Sequence, residues 1–411
     1  MFDGLKTYRD DPIESTFRRL QEDQRPDLVN LSIGVFRNAR GEVPLMNVVR
    51  QAEHLVLDQL VTKSYLTPAG NVKFCEAVSE LLLGLGHKAV LEGRVRMVQT
   101  PGAGSALRVA AELTRSLNPD AAIWFSDPVW SHQVDFFKAA GLNIKYYSYY
   151  DRESQTLDFT QMLQSLEAAK AGDMIVLHGA CHNPTGEHLS FAKWQSLSEL
   201  MRLRSLIPLV DIAYQGYGEG LEEDAAGLRY MATQFPNMLI AYSASKSFAV
   251  YRDRVGVLFM ITPESGKPAE LMYNHLTDII RSLYFMPPDR GAEIVATILN
   301  DVDLRARWQS ELAGMRAQVK QIRQMAFEAL KTHQPDWNWS NITRQKGMFS
   351  CLPITEPERL RLEQDKAIYL LPDGRLNFAS LSTDNLDYVA SSLGEYLKPV
   401  ETPSLGMRAP A

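Results

Sequence analysis

IPLVDIAYQGYGEGLEEDAAGLRYMATQFPNMLIAYSASKSF (207–248) contains two short apolar runs, IPLVDI (207–212) and MLIAYS (238–243), and each leads straight into polar chemistry. The first carries Asp211 and continues as AYQGY; the second continues as ASKSF. Runs of this length, apolar rather than alternating, read as strands of a sheet buried on both faces. Five more follow the same rule: RVRMVQ (94–99), AAIWFS (121–126), NIKYYSYY (143–150), MIVLHG (174–179) and VGVLFMI (255–261). Helical patterns separate several of them, at 105–117, 131–141 and 190–205. This alternation predicts an α/β fold with a mostly parallel seven-stranded sheet covered by helices.

Beyond Pro287-Pro288 the pattern changes. A long helical stretch is expected over 290–332 with a pause at Asn300-Asp301, then GMFS (347–350), a helix near 356–364 and a strand-like RLNFAS (375–380). These describe a smaller α+β domain. The expected division is a large domain over 44–310 and a small one built from 1–43 with 311–411, ending in a frayed tail at 401–411.

With 411 residues, 45% hydrophobic and 22% charged, the chain has the make-up of a globular protein with a large core. A formal net charge of −6 offers no basic footprint for nucleic acid. Cys75, Cys181 and Cys351 are few and lack metal-binding spacing, which fits a reducing compartment. The N-terminus has no apolar signal region and no run approaches a membrane span, so a cytoplasmic protein is expected.

In open α/β sheets ligands sit beyond the carboxyl ends of the strands. Here those ends deliver TPGAGSALR (100–108), DPVWSH (127–132), ACHNPTG (180–186), DIAYQGY (211–217) and ASKSFAVYRDR (244–254). One cofactor, pyridoxal phosphate, asks for this set. It requires a lysine amine (Lys246), a carboxylate at the pyridine nitrogen (Asp211) and hydrogen-bond donors at the phenolate oxygen (Tyr214, Asn183). It also requires an anion site (Gly102, Ala103, Gly104, Ser105, with Ser243, Ser245 and Arg254) and an aromatic wall (Trp130).

NPTG (183–186), DIAYQGYGEGLEEDA (211–225), SASKSF (243–248), RVG (254–256), GMFS (347–350) and GRLNFA (374–379) resemble the fold-type I, class I aminotransferases, in order and over nearly the whole chain. Within them the match is to the bacterial aspartate and aromatic amino-acid subgroup. The resemblance implies reversible transamination between an amino acid and a 2-oxo acid, with Lys246 as Schiff-base lysine and proton shuttle. It implies Asp211 at the pyridinium, Tyr214 and Asn183 at the phenolate oxygen, and Ser243, Ser245 and Arg254 on the phosphate. Trp130 would stack on the ring, Arg375 would clamp the substrate carboxylate, and Gly34 lies in a segment closing over the substrate. It further implies a homodimer sharing its active sites, with Tyr65 reaching the neighbouring phosphate and Arg281 a distal carboxylate in trans.

The departures are specific. Position 104 lacks the family's threonine hydroxyl, which Ser105 either replaces or does not. Gln133 stands where a histidine usually buttresses the aspartate, with His178 and His182 nearby. Apolar Leu283, Phe285 and Met286 surround Arg281, and Val43 stands where a hydroxyl is common, which favours an aromatic or long-chain substrate. Glu14 replaces an apolar residue over the substrate; it faces water or pairs with a cationic side chain, and the latter would suit arginine-like substrates. Aspartate remains a third candidate. Another pyridoxal-phosphate reaction, such as elimination, and a non-catalytic sensor are the rival functions. GAGSAL lacks the third glycine of a dinucleotide fingerprint, and His178 with His182 lacks a third metal ligand.

Overall fold

The computed structural model describes residues 12–38 and 40–397, so the expected tail at 401–411 lies outside them. All seven expected strands form, in chain order β1 (Val95–Pro101), β2 (Ala122–Asp127), β3 (Asn143–Ser148), β4 (Met174–His178), β5 (Ile207–Ile212), β6 (Met238–Ser243) and β7 (Val255–Ile261). They make one sheet in the order β1-β7-β6-β5-β4-β2-β3. Every pairing is parallel except the two made by β7. The cause is chain length: only residues 244–254 join β6 to β7, too short a span for a crossover, so the strand returns antiparallel.

The central strands lack polar alternation because both faces are covered. Val176, Leu209, Ala241 and Leu258 face one core, packed by the helices Gly102–Leu117 and Lys267–Leu283. Their neighbours Ile175, Val210, Ile240 and Val257 face the other. Residues one apart point to opposite faces, so a run must be apolar throughout to fill both cores.

Three helices within 94–283 are absent from the sequence expectations, Leu221–Gln234, Phe159–Leu166 and Lys267–Leu283. The first opens on Glu222, Glu223 and Asp224, acids that suit the positive end of a helix. The helix expected at 105–117 begins earlier, at Gly102.

A third core gathers Val29, Leu31, Ile322, Leu330, Leu352, Ile368, Leu376 and Leu393. The N-terminal segment enters it directly, since Val29–Asn30 pairs in parallel with Ile368–Tyr369. Phe349–Cys351 pairs antiparallel with Arg375–Asn377. Val302–His333, a single helix, runs through the expected boundary at 310. Its Leu304, Trp308 and Val319 sit in the large core and its Ile322 and Leu330 in the small one.

Candidate active site

Asp211 is the penultimate residue of the central strand β5, in register with His178 on β4 and Ala241 on β6. Lys246 follows β6 in a segment held from behind: Trp308 donates to the Ser247 carbonyl at 2.8 Å, and Phe248 stacks on Trp308 at 4.4 Å. Two strand ends on a rigid sheet thus set amine and carboxylate into one cavity of about 350 Å³. Its wall also includes Ala103, Gly104, Trp130, His132, Phe136, His178, Asn183, Tyr214, Ser243, Ser245 and Arg254. Ile13, Phe17, Ser32, Ile33, Gly34, Phe349, Leu371 and Arg375 close it from the other side.

The electrostatics follow from burial. Desolvation lowers the Lys246 amine to about 8, against the pull of the Asp211 charge. Desolvation raises Asp211 to about 6, with Lys246 and a hydrogen bond from Gln133 opposing. The Lys246 Nζ lies 5.1 Å from the Tyr214 ring centre. Burial likewise raises the Tyr214 phenol. A lysine whose amine is about half neutral near pH 8, and more so above it, is a competent nucleophile.

The anion end is built on backbone. Gly102 has φ +76°, and a Cβ there would fall 2.4 Å from the Arg254 guanidinium, so the residue must be glycine. The helix starting there leaves its first N–H groups without intrahelical partners. Arg254 itself takes φ +56° and donates to Ser245 Oγ at 3.4 Å and to the Tyr251 carbonyl at 3.2 Å. At the opposite end Arg375 donates from Nη1 to Asn183 Oδ1 and lies over the Phe349 ring, while its buried Nε makes no hydrogen bond.

Several residues named from the sequence lie outside this chain's cavity wall. Ser105 does not reach the cavity: its hydroxyl donates to the Pro101 carbonyl at 3.2 Å, one helical turn back. Glu14 is exposed, and Ile13 and Phe17 of the same helix, Pro12–Glu22, line the cavity instead. Tyr65 is 82% exposed, and Arg281 is exposed and pairs with Asp278 at 3.5 Å. Neither lines this chain's cavity, nor do Val43, Leu283, Phe285 or Met286.

Other site residues escaped the sequence reading. His132 and Phe136 are four apart on the helix Ser131–Ala139, and so share the face that meets Trp130. That spacing was the available signal. Gln133, noted only as a departure, donates to Asp211 Oδ2 at 2.6 Å. Of the two histidines weighed as a metal pair, His182 bonds Ser126 and Thr185 and stacks on Tyr149 at 4.1 Å. His178 accepts from the Asn183 backbone N–H at 3.2 Å.

These residues fit pyridoxal phosphate by an observation independent of motif. Asp211 Oδ1 is buried and has no hydrogen-bond partner, although the carboxylate lines a polar cavity. A buried acceptor left unpaired is costly, and a protonated ring nitrogen satisfies it.

Comparison with known proteins agrees. Residues 26–393 match the family described as aminotransferase class I and II. The chain is 40% identical to a tyrosine aminotransferase of Rhizobium meliloti, over 93% of this chain and 97% of that one. It is 38% identical to an aspartate aminotransferase of Escherichia coli, over 94% and 97% respectively. An aromatic-amino-acid aminotransferase from Burkholderia pseudomallei, solved covalently bound to pyridoxal phosphate, superposes with a TM-score of 0.93. That match has 37% identity and covers 97% of this chain and all of the other. Motif order, sheet topology and likeness along nearly the full length agree, and the chain belongs to the class I and II aminotransferases.

Proposed function

We propose that this enzyme uses pyridoxal phosphate to move an amino group between an L-amino acid, aromatic or long-chain by preference, and a 2-oxo acid such as 2-oxoglutarate. The observation that carries the reading is Lys246 facing Asp211, whose Oδ1 is unpartnered, in one buried cavity. When bound, the cofactor supplies an electron-accepting ring on which the substrate Cα–H bond is weakened. Lys246 holds and moves the proton at Cα, and Asp211 keeps the ring nitrogen protonated. Ala103 and Gly104 N–H groups, with Ser243, Ser245 and Arg254, hold the phosphate. Tyr214 and Asn183 serve the phenolate oxygen, and Trp130 covers the ring. Arg375 takes the α-carboxylate in a two-pronged pair. The cavity lies between the two proposed parts, 44–310 and 1–43 with 311–411, since Gly34, Phe349 and Arg375 come from the second.

The side-chain preference rests on the outer wall. Ile13, Phe17, Ile33, Phe136 and Leu371 are apolar, and Asp211 is the only carboxylate among the described lining residues. A guanidino group would find no second acid there, which disfavours the arginine-like reading. Tyrosine with 2-oxoglutarate is therefore expected to lead aspartate and arginine in kcat/KM. Phe17→Ala should lower the tyrosine value ~tenfold, the worth of one aromatic contact, and change aspartate less. A large lead for aspartate would reverse the preference.

A homodimer in a reducing cytoplasm completes the proposal. All three cysteines are buried and unpaired. Among the described residues no helix is long and apolar enough to cross a membrane. Leu57, Leu60, Val61, Tyr65, Leu283 and Phe285 are exposed, and the Tyr65 and Phe285 rings meet at 6.1 Å. A second copy covering this surface would bring Tyr65 and Arg281 to the neighbour's cavity. Lys246→Ala mixed with Arg281→Ala under subunit exchange then gives hybrids with one intact site. Activity on a dicarboxylic substrate should return in part; proven exchange without recovery would place Arg281 outside the partner's site.

A further inference from the structure

We propose that Gln133 and His178 form a neutral relay with a fixed donor direction, and that it aims Asp211 at the cavity and ties it to the substrate-carboxylate clamp. The inference rests on the functional reading above for what Asp211 meets, but its direction follows from hydrogen-bond chemistry alone. A backbone N–H can only donate, and that of Asn183 points at His178 Nδ1 from 3.2 Å. Nδ1 is therefore an acceptor, and the ring proton sits on Nε2. Nε2 lies 3.3 Å from Gln133 Oε1 and donates to it. That fixes the orientation of the buried amide, whose Nε2 then donates to Asp211 Oδ2 at 2.6 Å. One carboxylate oxygen is thereby engaged, and Oδ1 is the oxygen left unpaired.

No member of this chain can reverse. A protonated His178 would set N–H against the Asn183 N–H, and burial of the ring, which lowers its pKa to about 4, favours the same neutral form. Gln133 does not titrate. Asp211 thus meets a donor that never becomes a competing cation, unlike a histidine at the same place. The far end of the relay is Asn183, whose side-chain oxygen accepts from Arg375 Nη1. The residue that receives the substrate carboxylate and the carboxylate that serves the ring are linked through three side chains, those of Asn183, His178 and Gln133, and one backbone N–H. Gln133 and His178 are positioning residues, acting on the chemistry through Asp211.

Two measurements test this. In histidine-labelled apoprotein, 15N NMR at neutral pH should show His178 as the single Nε2–H tautomer. In Gln133→Met, which keeps the length and packing of the side chain but removes both amide groups, the Asn183 N–H still holds that tautomer, but His178 Nε2–H loses its acceptor and its 15N resonance should shift. Titration of the same apoproteins with pyridoxal phosphate should give a Kd weakened ~tenfold or more in Gln133→Met, the scale of one hydrogen bond to a charged group. Gln133→His, which restores a donor, should recover most of it. With saturating cofactor, kcat of Gln133→Met should fall while KM for the amino acid stays within about twofold, because the loss is felt at the ring and not at the substrate. An Nδ1–H tautomer in the wild type overturns the relay, whatever the cofactor does. So does a Gln133→Met variant with an unchanged His178 Nε2 resonance and unchanged Kd. A wild-type protein that takes up no pyridoxal phosphate would instead sink the functional reading, while the tautomer still decides the relay.

Discussion

Lys246→Ala is expected to lower turnover by a factor on the order of 10⁵ or more, the loss typical when a group that both bonds and shuttles a proton is removed. The expectation follows from position: among the described residues of the cavity wall Lys246 is the only lysine, and the other cations, Arg254 and Arg375, have no accessible neutral form. The variant should also lose covalent cofactor. Borohydride should fix pyridoxal phosphate to the Lys246 peptide in the wild type, read by mass spectrometry, and to nothing in the variant. A variant with near-normal kcat, or label on another lysine, would remove the basis of the assignment. The depressed amine pKa adds a sign. Only the neutral amine attacks an aldehyde, so uptake of cofactor by the apoprotein should quicken as pH rises and level off above about 8, rather than climbing to the ordinary lysine range.

What the sequence made legible, and what it hid, divides along physical lines. The strands were readable because a sheet covered on both faces leaves little freedom for polar residues, so 207–210 and 238–241 are apolar throughout. Asp211 and Lys246 were readable for the converse reason: charge at the end of such a run has no structural excuse. The substrate wall was less legible. On the helix Pro12–Glu22, Ile13 and Phe17 lie one turn apart and face the cavity, whereas Glu14 is rotated about 100° away and meets water. Motif alignment identified the segment but not the facing side. Ser105 misled in a similar way, because a hydroxyl in a first helical turn can bond back to the chain instead of forward to a ligand. The apolar Leu283 and Phe285 lie on the surface of this chain, at the end of and just beyond a helix that the sequence reading had not drawn.

Asp211→Asn should keep the fold and retain bound cofactor, yet lower kcat ~10³-fold, the scale of losing a preorganised charge at the transition state. The substitution preserves shape, so the outcome isolates charge and hydrogen-bond direction. Gln133 Nε2 donates to one oxygen of residue 211, and an amide in the same place must offer its own oxygen to that donor. Its NH₂ group is then the one turned toward the cavity, where the carboxylate presents unpartnered Oδ1. A donor there repels a protonated ring nitrogen and favours the unprotonated ring, which accepts electrons poorly. Breaking the Gln133 contact as well should therefore soften the defect. In Gln133→Met with Asp211→Asn the amide is free to turn its oxygen inward, and kcat should recover part of the loss, giving a double-mutant cycle that is clearly non-additive. Additive losses would mean that Gln133 does not orient residue 211, and near-normal turnover in Asp211→Asn alone would mean that its charge is not used.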